Sequence, residues 1–192
     1  GGMVAGPKAL DYINGLDQAA EDLSSSLFEG EVKKEQDKFD SILKMDGKEN
    51  AYVLHKELGE WMTDNVTVVR YNDKLLKTDE KIQELMERFK NININDTSRW
   101  SNQGASFTRQ LEGMLNLARV ITIGAYNRNE SRGAHYKPDF PERNDEEFLK
   151  TTKAWYNPAT GAPDFEYEEV DTSLIKPRKR DYTQKSKGAE AK

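Results

Sequence analysis

The sequence predicts a mainly α protein: a bundle of antiparallel helices, with extra helices before it and a C-terminal extension containing a β-hairpin. Three observations carry this. Apolar residues recur at three- and four-residue spacing through four long stretches between residues 23 and 127. Short polar connections join stretches of similar length, which places neighbours antiparallel. Beyond Arg132 the helical period gives way to two short arms around a Pro- and Gly-containing turn, the second of them alternating.

Residues 1–16 begin small and apolar, then become amphipathic through Ala9, Leu10, Tyr12 and Ile13. Pro7 is compatible only with the first turn of a helix there, where its missing N–H is not needed. Gly1-Gly2 ahead of Met3 reads either as a tag scar or as part of a longer chain, a choice that the residues alone leave open. Residues 23–45 carry Leu23, Leu27, Phe28, Val32, Phe39, Ile42 and Leu43 at mostly helical spacing, with a weak polar middle. Asp46-Gly47-Lys48 is a stop, with Gly just past a helix end.

The next helix is expected over residues 50–70, with Leu54, Leu58, Trp61, Met62, Val66 and Val69 on one face. Residues 66–69 would suit a strand by propensity, but the preceding i, i+4 pattern favours helix throughout. Tyr71-Asn72-Asp73 is a turn with an N-cap, followed by a helix over residues 74–91 striped by Leu75, Ile82, Leu85, Met86 and Phe89. Residues 91–98 are too rich in Asn, Asp and Ser to continue it, because those side chains compete for backbone hydrogen bonds. The cleanest helical spacing, Leu111, Met114, Leu115, Ala118, Ile121 and Ala125, runs within residues 103–127. Residues 155–157 and 165–170 flank Pro158-Ala159-Thr160-Gly161-Ala162-Pro163 as a hairpin. The basic end from Lys176 onward has no apolar pattern, and its last ten or so residues are expected to be mobile.

Composition narrows the function classes. A chain of 192 residues holds one domain with an extension, or two small ones. With 35% hydrophobic and 33% charged residues and a mean hydropathy of -0.90, a slender body with much surface is expected rather than a deep core. A net charge of -5 argues against whole-surface nucleic-acid binding, which needs a concentrated basic face. The absence of cysteine excludes disulfides, thiolate metal sites and a cysteine nucleophile, and fits a reducing cytoplasm. Apolar runs such as residues 66–69 are far too short to span a bilayer, and no signal peptide is visible, so membrane contact would come through a partner.

Catalytic chemistry is hard to build from these residues. Of two histidines, His55 lies beside an apolar helix face and reads as a partly buried polar side chain. His135 stands near Glu130, Arg132 and Asp139 in sequence and could act as a general base. No Ser, Cys or second acid sits at triad or dyad spacing, and no His-x-x-x-His or Glu-x-x-His pair occurs. Gly-x-Gly-x-x-Gly and Walker-type loops are absent. The basic run from Lys176 to Tyr182 reads as a solvated terminus rather than a nucleic-acid or lipid patch, and Trp61, Trp100 and Trp155 as packing residues.

The segment of residues 129–144, Asn-Glu-Ser-Arg-Gly-Ala-His-Tyr-Lys-Pro-Asp-Phe-Pro-Glu-Arg-Asn, is too polar and Pro-rich to be core, yet an amphipathic helix runs straight into it. It resembles the Glu-Ser-Arg-Gly-Ala-His…Asp-Phe-Pro-Glu-Arg signature of succinate dehydrogenase and fumarate reductase flavoprotein subunits. The opening Gly-Gly-Met-Val-Ala-Gly-Pro, Asn95-Asp96-Thr97-Ser98, the stretch from Asn116 to Ala125, and the Pro-Arg-Lys-Arg-Asp-Tyr ending at Tyr182 extend the likeness over nearly the whole chain. L-Aspartate oxidase shares Glu-Ser-Arg-Gly and is the nearest alternative, but its tail is typically shorter and lacks the hairpin. A free-standing helical adaptor is the alternative from another class.

The resemblance implies an antiparallel three-helix bundle of spectrin-like form. It divides the chain into a remnant of a preceding FAD-binding domain (residues 1–20), the bundle (21–136) and a C-terminal extension (137–192). It implies no catalytic, cofactor or metal residue here: the parent's FAD and substrate-binding groups would lie upstream, so this chain alone is expected to be inactive. It implies docking to the FAD-binding domain, and assembly of the parent with an iron–sulfur subunit and a cytochrome b anchor at the inner face of the cell membrane. The residues expected to serve interdomain docking are Glu130, Ser131, Arg132, Gly133, His135 and Arg143. Gly133 would turn the chain out of the helix, and Arg132 would pair with a carboxylate of the other domain.

Overall fold

A computed structural model describes residues 1–157 and 159–178. The rest of the basic tail, including Lys179 to Tyr182 and the end expected to be mobile, lies outside the described residues. The described chain forms two compact units, Gly1–Lys44 and Met45–Lys192.

In the first unit, α1 (Gly2–Asn14) contains Pro7 inside the helix rather than in its first turn. Met3, whose carbonyl the ring deprives of its partner, is 95% exposed, so water can replace that bond. After a single 3-10 turn, Ala20–Asp22, α2 runs over Ser26–Leu43, with the Ser25 hydroxyl donating to Glu29 Oε1 at 2.9 Å. Leu23 therefore precedes the helix. Of the apolar residues of α2, Ile42 is buried, while Leu27, Phe28 and Val32 are exposed, as are Met3, Val4, Leu10, Tyr12 and Ile13 of α1.

The second unit is built on α3 (Ala51–Val66), α4 (Asn72–Phe89) and α5 (Gln103–Asn127). Its core joins Leu54 and Leu58 of α3, Ile82, Leu85 and Phe89 of α4, and Leu111, Leu115 and Ala118 of α5. Each buried Leu, Ile or Phe among these contributes about 1.5–3 kcal/mol by leaving water. The backbone before α3 pairs with the backbone after α4: Glu49 N donates to Asn91 O at 2.8 Å and Ile94 N to Met45 O at 2.9 Å. At the other end, Asn72 Nδ2 donates to Asn129 Oδ1 at 3.1 Å, joining the start of α4 to the end of α5. Neighbouring helices are therefore antiparallel.

Local chemistry sets the helix ends. Asn50 caps α3, its side chain accepting from Tyr52 N and Val53 N. Asn102 caps α5 by accepting from Ala105 N at 2.8 Å. Gly47 has a different task from the helix stop expected of it. A Cβ there would lie 2.0 Å from the Asn91 carbonyl oxygen, so the close pairing at this end of the bundle requires glycine.

Several expectations are corrected. α3 ends at Val66, not at residue 70: Tyr136 N donates to Val68 O at 3.1 Å and Arg70 N to Tyr136 O at 2.9 Å. The strand preference of Val68 and Val69 wins because an extended partner is available. α4 starts at Asn72 behind Tyr71, which makes no side-chain cap, and Asp73 sits in its first turn. Ile121 is half exposed, and Thr108 and Thr122 are buried in its place on α5. Thr122 satisfies its hydroxyl on Ala118 O at 2.8 Å. Trp100 is 88% exposed rather than packed. His55 is exposed, edge-on to Phe107 with ring centroids 5.4 Å apart.

The hairpin forms as expected but is longer: β1 (Lys150–Asn157) pairs antiparallel with β2 (Ala162–Glu169), with Ala154 opposite Phe165. Gly161 takes a positive φ of 62° in its turn. Phe165 packs over Gly124 of α5, and Arg119 of α5 bonds Asp79 at 2.9 Å and the Gly161 carbonyl at 2.8 Å. A short helix, α6 (Asp145–Phe148), precedes the hairpin.

Candidate functional site

The segment that follows α5 folds back on the bundle end as a polar knot centred on Glu130, which is fully buried. α5 delivers it: the helix ends at Asn127, and Arg128 turns extended. Arg132 grips the carboxylate with a fork, Nε to Oε1 at 2.8 Å and Nη2 to Oε2 at 3.0 Å. Arg128 Nε adds a bond to Oε1 at 2.7 Å, and the Asn144 backbone N–H one to Oε2 at 2.9 Å. Burial pulls the Glu130 carboxyl upward, but the bonds from Arg132, Asn144 and Arg128 outweigh it and hold it below its ordinary range.

The charges extend outward in a chain. Arg132 Nη2 also bonds Asp145 Oδ1 at 2.7 Å, and Arg143 Nη2 bonds Asp145 Oδ2 at 2.6 Å. Arg132, and next Arg143, hold Asp145 below its usual value. Arg143 Nη1 reaches the Arg178 carbonyl at 2.7 Å. Arg128 donates to the Phe148 carbonyl and lies 5.6 Å over the Phe148 ring.

Ser131 stitches the loop: its hydroxyl donates to Phe140 O at 2.8 Å and accepts from Lys137 N at 3.0 Å. Gly133 has a φ of +60°, in a two-residue turn closed by Arg132 N to His135 O at 2.8 Å and His135 N to Arg132 O at 3.0 Å. Positive φ at the first central residue alone is the pattern of a type II′ turn. The left-handed turn thus lies beyond the helix exit, inside the loop.

His135 is bonded at both ring nitrogens. Nε2 lies 2.9 Å from the Arg128 carbonyl, to which it donates, so Nδ1 accepts from Arg70 Nη1 at 2.5 Å. Burial is the main cause lowering its pKa, with Arg70, Lys137 and Arg128 adding to it. The ring is held neutral with no lone pair turned to a substrate, so it is a structural tie rather than a base.

Glu130, Ser131, Arg132, His135 and Arg143 are therefore brought together, with Gly133 at the exposed tip. Arg132, expected to meet a carboxylate on another domain, has its charge matched within this chain by Glu130 and Asp145. Sequence reasoning missed Arg70, Arg128, Lys137, Asn144 and Asp145. The dense mixture of both charge signs after residue 127 marked Arg128, Lys137 and Asp145; Asn144 stood out only as a cap-forming residue ahead of an acidic run, and nothing local marked Arg70. What remains outward is Gly133, Ala134, Tyr136, Asp139, Phe140, Pro141 and Glu142, a mixed tip on a braced frame.

Such an arrangement holds the surface of the loop in one shape. Among the described residues no group of His, Cys, Asp and Glu could hold a metal ion, and no helix is long and apolar enough to cross a membrane. Among the described residues the sheet is a two-stranded antiparallel hairpin, unlike the parallel sheet of a dinucleotide-binding fold.

The fumarate reductase flavoprotein C-terminal family model matches residues 55–182. The succinate dehydrogenase flavoprotein subunit of Bacillus subtilis is 74% identical over 96% of this chain and 32% of its own length. The fumarate reductase flavoprotein subunit of Proteus vulgaris is 35% identical over 94% of this chain and 30% of its own. Among solved structures, a quinol–fumarate reductase with menaquinol molecules superposes with a TM-score of 0.79 at 30% identity, covering 92% of this chain and 30% of that one. This chain belongs to the succinate dehydrogenase and fumarate reductase flavoprotein family, and corresponds to its C-terminal domain. It spans about a third of the length of the curated relatives it matches.

Proposed function

We propose that this chain is the structural and docking domain of a succinate dehydrogenase flavoprotein subunit, and that residues 129–144 form its interdomain contact. The observation that carries the reading is the 74% identity to the Bacillus subtilis succinate dehydrogenase flavoprotein subunit over 96% of the chain. In this reading FAD and the succinate-oxidising residues belong to a domain that precedes this one. Residues 1–20 belong with that domain, 21–136 with the bundle and 137–192 with the extension. The exposed apolar residues of α1, among them Met3, Val4, Leu10 and Ile13, are then covered by the flavin domain. The parent passes electrons to an iron–sulfur subunit and on to a cytochrome b anchor at the inner face of the cell membrane.

Glu130, Ser131, Arg132, His135 and Arg143 act by holding the tip at Gly133 in one shape, so that docking orders little that is not already ordered. The first experiment is the visible spectrum of the purified chain after incubation with FAD, followed by a succinate-to-dye assay. The expected result is no flavin band and no turnover; bound flavin reduced by succinate would overturn the reading. In the intact subunit, Arg132→Ala should reduce assembly or flavin retention, and normal assembly with normal flavinylation would remove the docking role.

A further inference from the structure

Lys137 is 1% exposed, and the ion pairs among the described residues do not include it. Its Nζ donates to the Tyr126 carbonyl in the last turn of α5 at 2.9 Å and to Asn129 Oδ1 at 3.0 Å. Asn129 Oδ1 also accepts from Asn72 at the start of α4, so the amine ties the loop to both helices. A neutral amine has two N–H donors and an ammonium three. Two acceptors match the neutral form. For the third hydrogen of an ammonium the described residues offer only the rings of Tyr126 and Phe140, whose centroids lie 6.0 and 5.8 Å from Nζ, at the outer limit of a useful cation–π contact.

The nearby charges do little to rescue the cation. Arg70, from the connection between α3 and α4, opposes it, and Asp139 on its own loop offsets part of the cost. His135, which feels the charges of both Lys137 and Arg128, and the Tyr126 phenol also lie close by. The Lys137 backbone is equally committed, with its N–H on Ser131 Oγ and its carbonyl taking the Phe140 N–H at 2.9 Å. Releasing the loop would return the amine to water; seating it strips that water away.

We propose that seating of residues 129–144 on the end of α5 is a proton-linked equilibrium governed by Lys137, in which protonating the buried amine loosens the loop and deprotonating it tightens the loop. Burial, reinforced by Arg70, brings the seated amine down to about 8, against about 10.4 for a lysine in water. Release therefore takes up a proton between those values, and seating strengthens as pH rises through them. Below the seated value both forms are charged and the dependence levels off.

The test is amide hydrogen exchange on the full chain, corrected for the intrinsic pH dependence of exchange. The reporters are the hydrogen-bonded loop amides of Ser131, Arg132, Tyr136 and Asn144, referenced to amides within α4. Loop protection relative to α4 should rise about tenfold from pH ~7 to pH ~9, and Lys137→Met should abolish that rise. A flat wild-type profile, or the same rise in the variant, would overturn the proposal. If the variant does not fold, the Lys137 Cε resonance in the wild-type chain decides. Titration near pH 8 supports the proposal, and titration in the ordinary lysine range refutes it.

Discussion

Arg132 and Glu130 meet as a two-bond fork, Nε to Oε1 at 2.8 Å and Nη2 to Oε2 at 3.0 Å, around a carboxylate with no exposure to solvent. Two residues apart in sequence, they point into the same knot because Ser131 between them is anchored on Phe140 and Glu142 across the loop. Removing the charge of Glu130 would leave Arg132 and Arg128 without their shared partner. Glu130→Gln should cost about 3–5 kcal/mol, read from urea denaturation, and should loosen the loop before the bundle.

The same carboxyl sets an acid limit. Its folded-state pKa is lowered, because its hydrogen bonds from Arg132, Asn144 and Arg128 outweigh the opposing burial. Its contribution is complete above the unfolded value of about 4.3 and is lost as pH falls through the lower folded value. The stability gap between wild type and Glu130→Gln should therefore shrink on acidification below pH ~4.3. A gap independent of pH in that range would show that Glu130 is not held by charge.

Leu54 and Ile121 are both apolar helix residues, but Leu54 is fully buried and Ile121 is half exposed. Leu54→Ala should cost about 2–5 kcal/mol through the cavity it leaves. Ile121→Ala should stay within about 0.5 kcal/mol in the isolated chain. Paired thermal and urea unfolding of the two variants checks this, and similar losses would contradict the placement of the core.

Gly47 faces the Asn91 backbone so closely that a methyl group would sit 2.0 Å from its carbonyl oxygen. Gly47→Ala should therefore force the paired segments at the closed end of the bundle apart, at about 1–3 kcal/mol. Hydrogen exchange at the Lys48, Glu49 and Asn93 amides should rise with it. An unchanged midpoint would rule out the close approach.

Gly133 has open space around it, so its requirement is conformational: φ is +60°. Gly133→Ala should cost about 1–3 kcal/mol, whereas Gly133→Asn should cost less, since Asn is among the residues that dominate such turns. Equal effects would point to contact rather than backbone conformation.

Much of the architecture was legible because it depends on neighbours in sequence. α5 matched its predicted bounds, with Leu111, Leu115 and Ala118 inside. The hairpin was legible from the alternation of its second arm and from Gly161 in its connection. Misreadings arose where a distant group outbid local preference. The end of α3 is decided by Tyr136, which offers Val68 and Arg70 an extended partner. Thr122 is buried in α5, while apolar Ile121 faces outward, because helix geometry points position 122 at α3 and its hydroxyl is satisfied by its own helix.

The sequence by itself determined a helical bundle, its long helices, the hairpin and the family to which residues 129–144 point, since periodicity, caps and turn chemistry act over a few residues. Only the tertiary structure decided what those signature residues do. It buried Glu130 under Arg128 and Arg132, brought Arg70 to His135 across 65 positions, and enclosed Lys137 among the Tyr126 carbonyl, Asn129 and two rings. Charges a few residues apart carry no information about which of them lose their water. Their roles follow from burial, and burial is set by how α3, α4 and α5 pack.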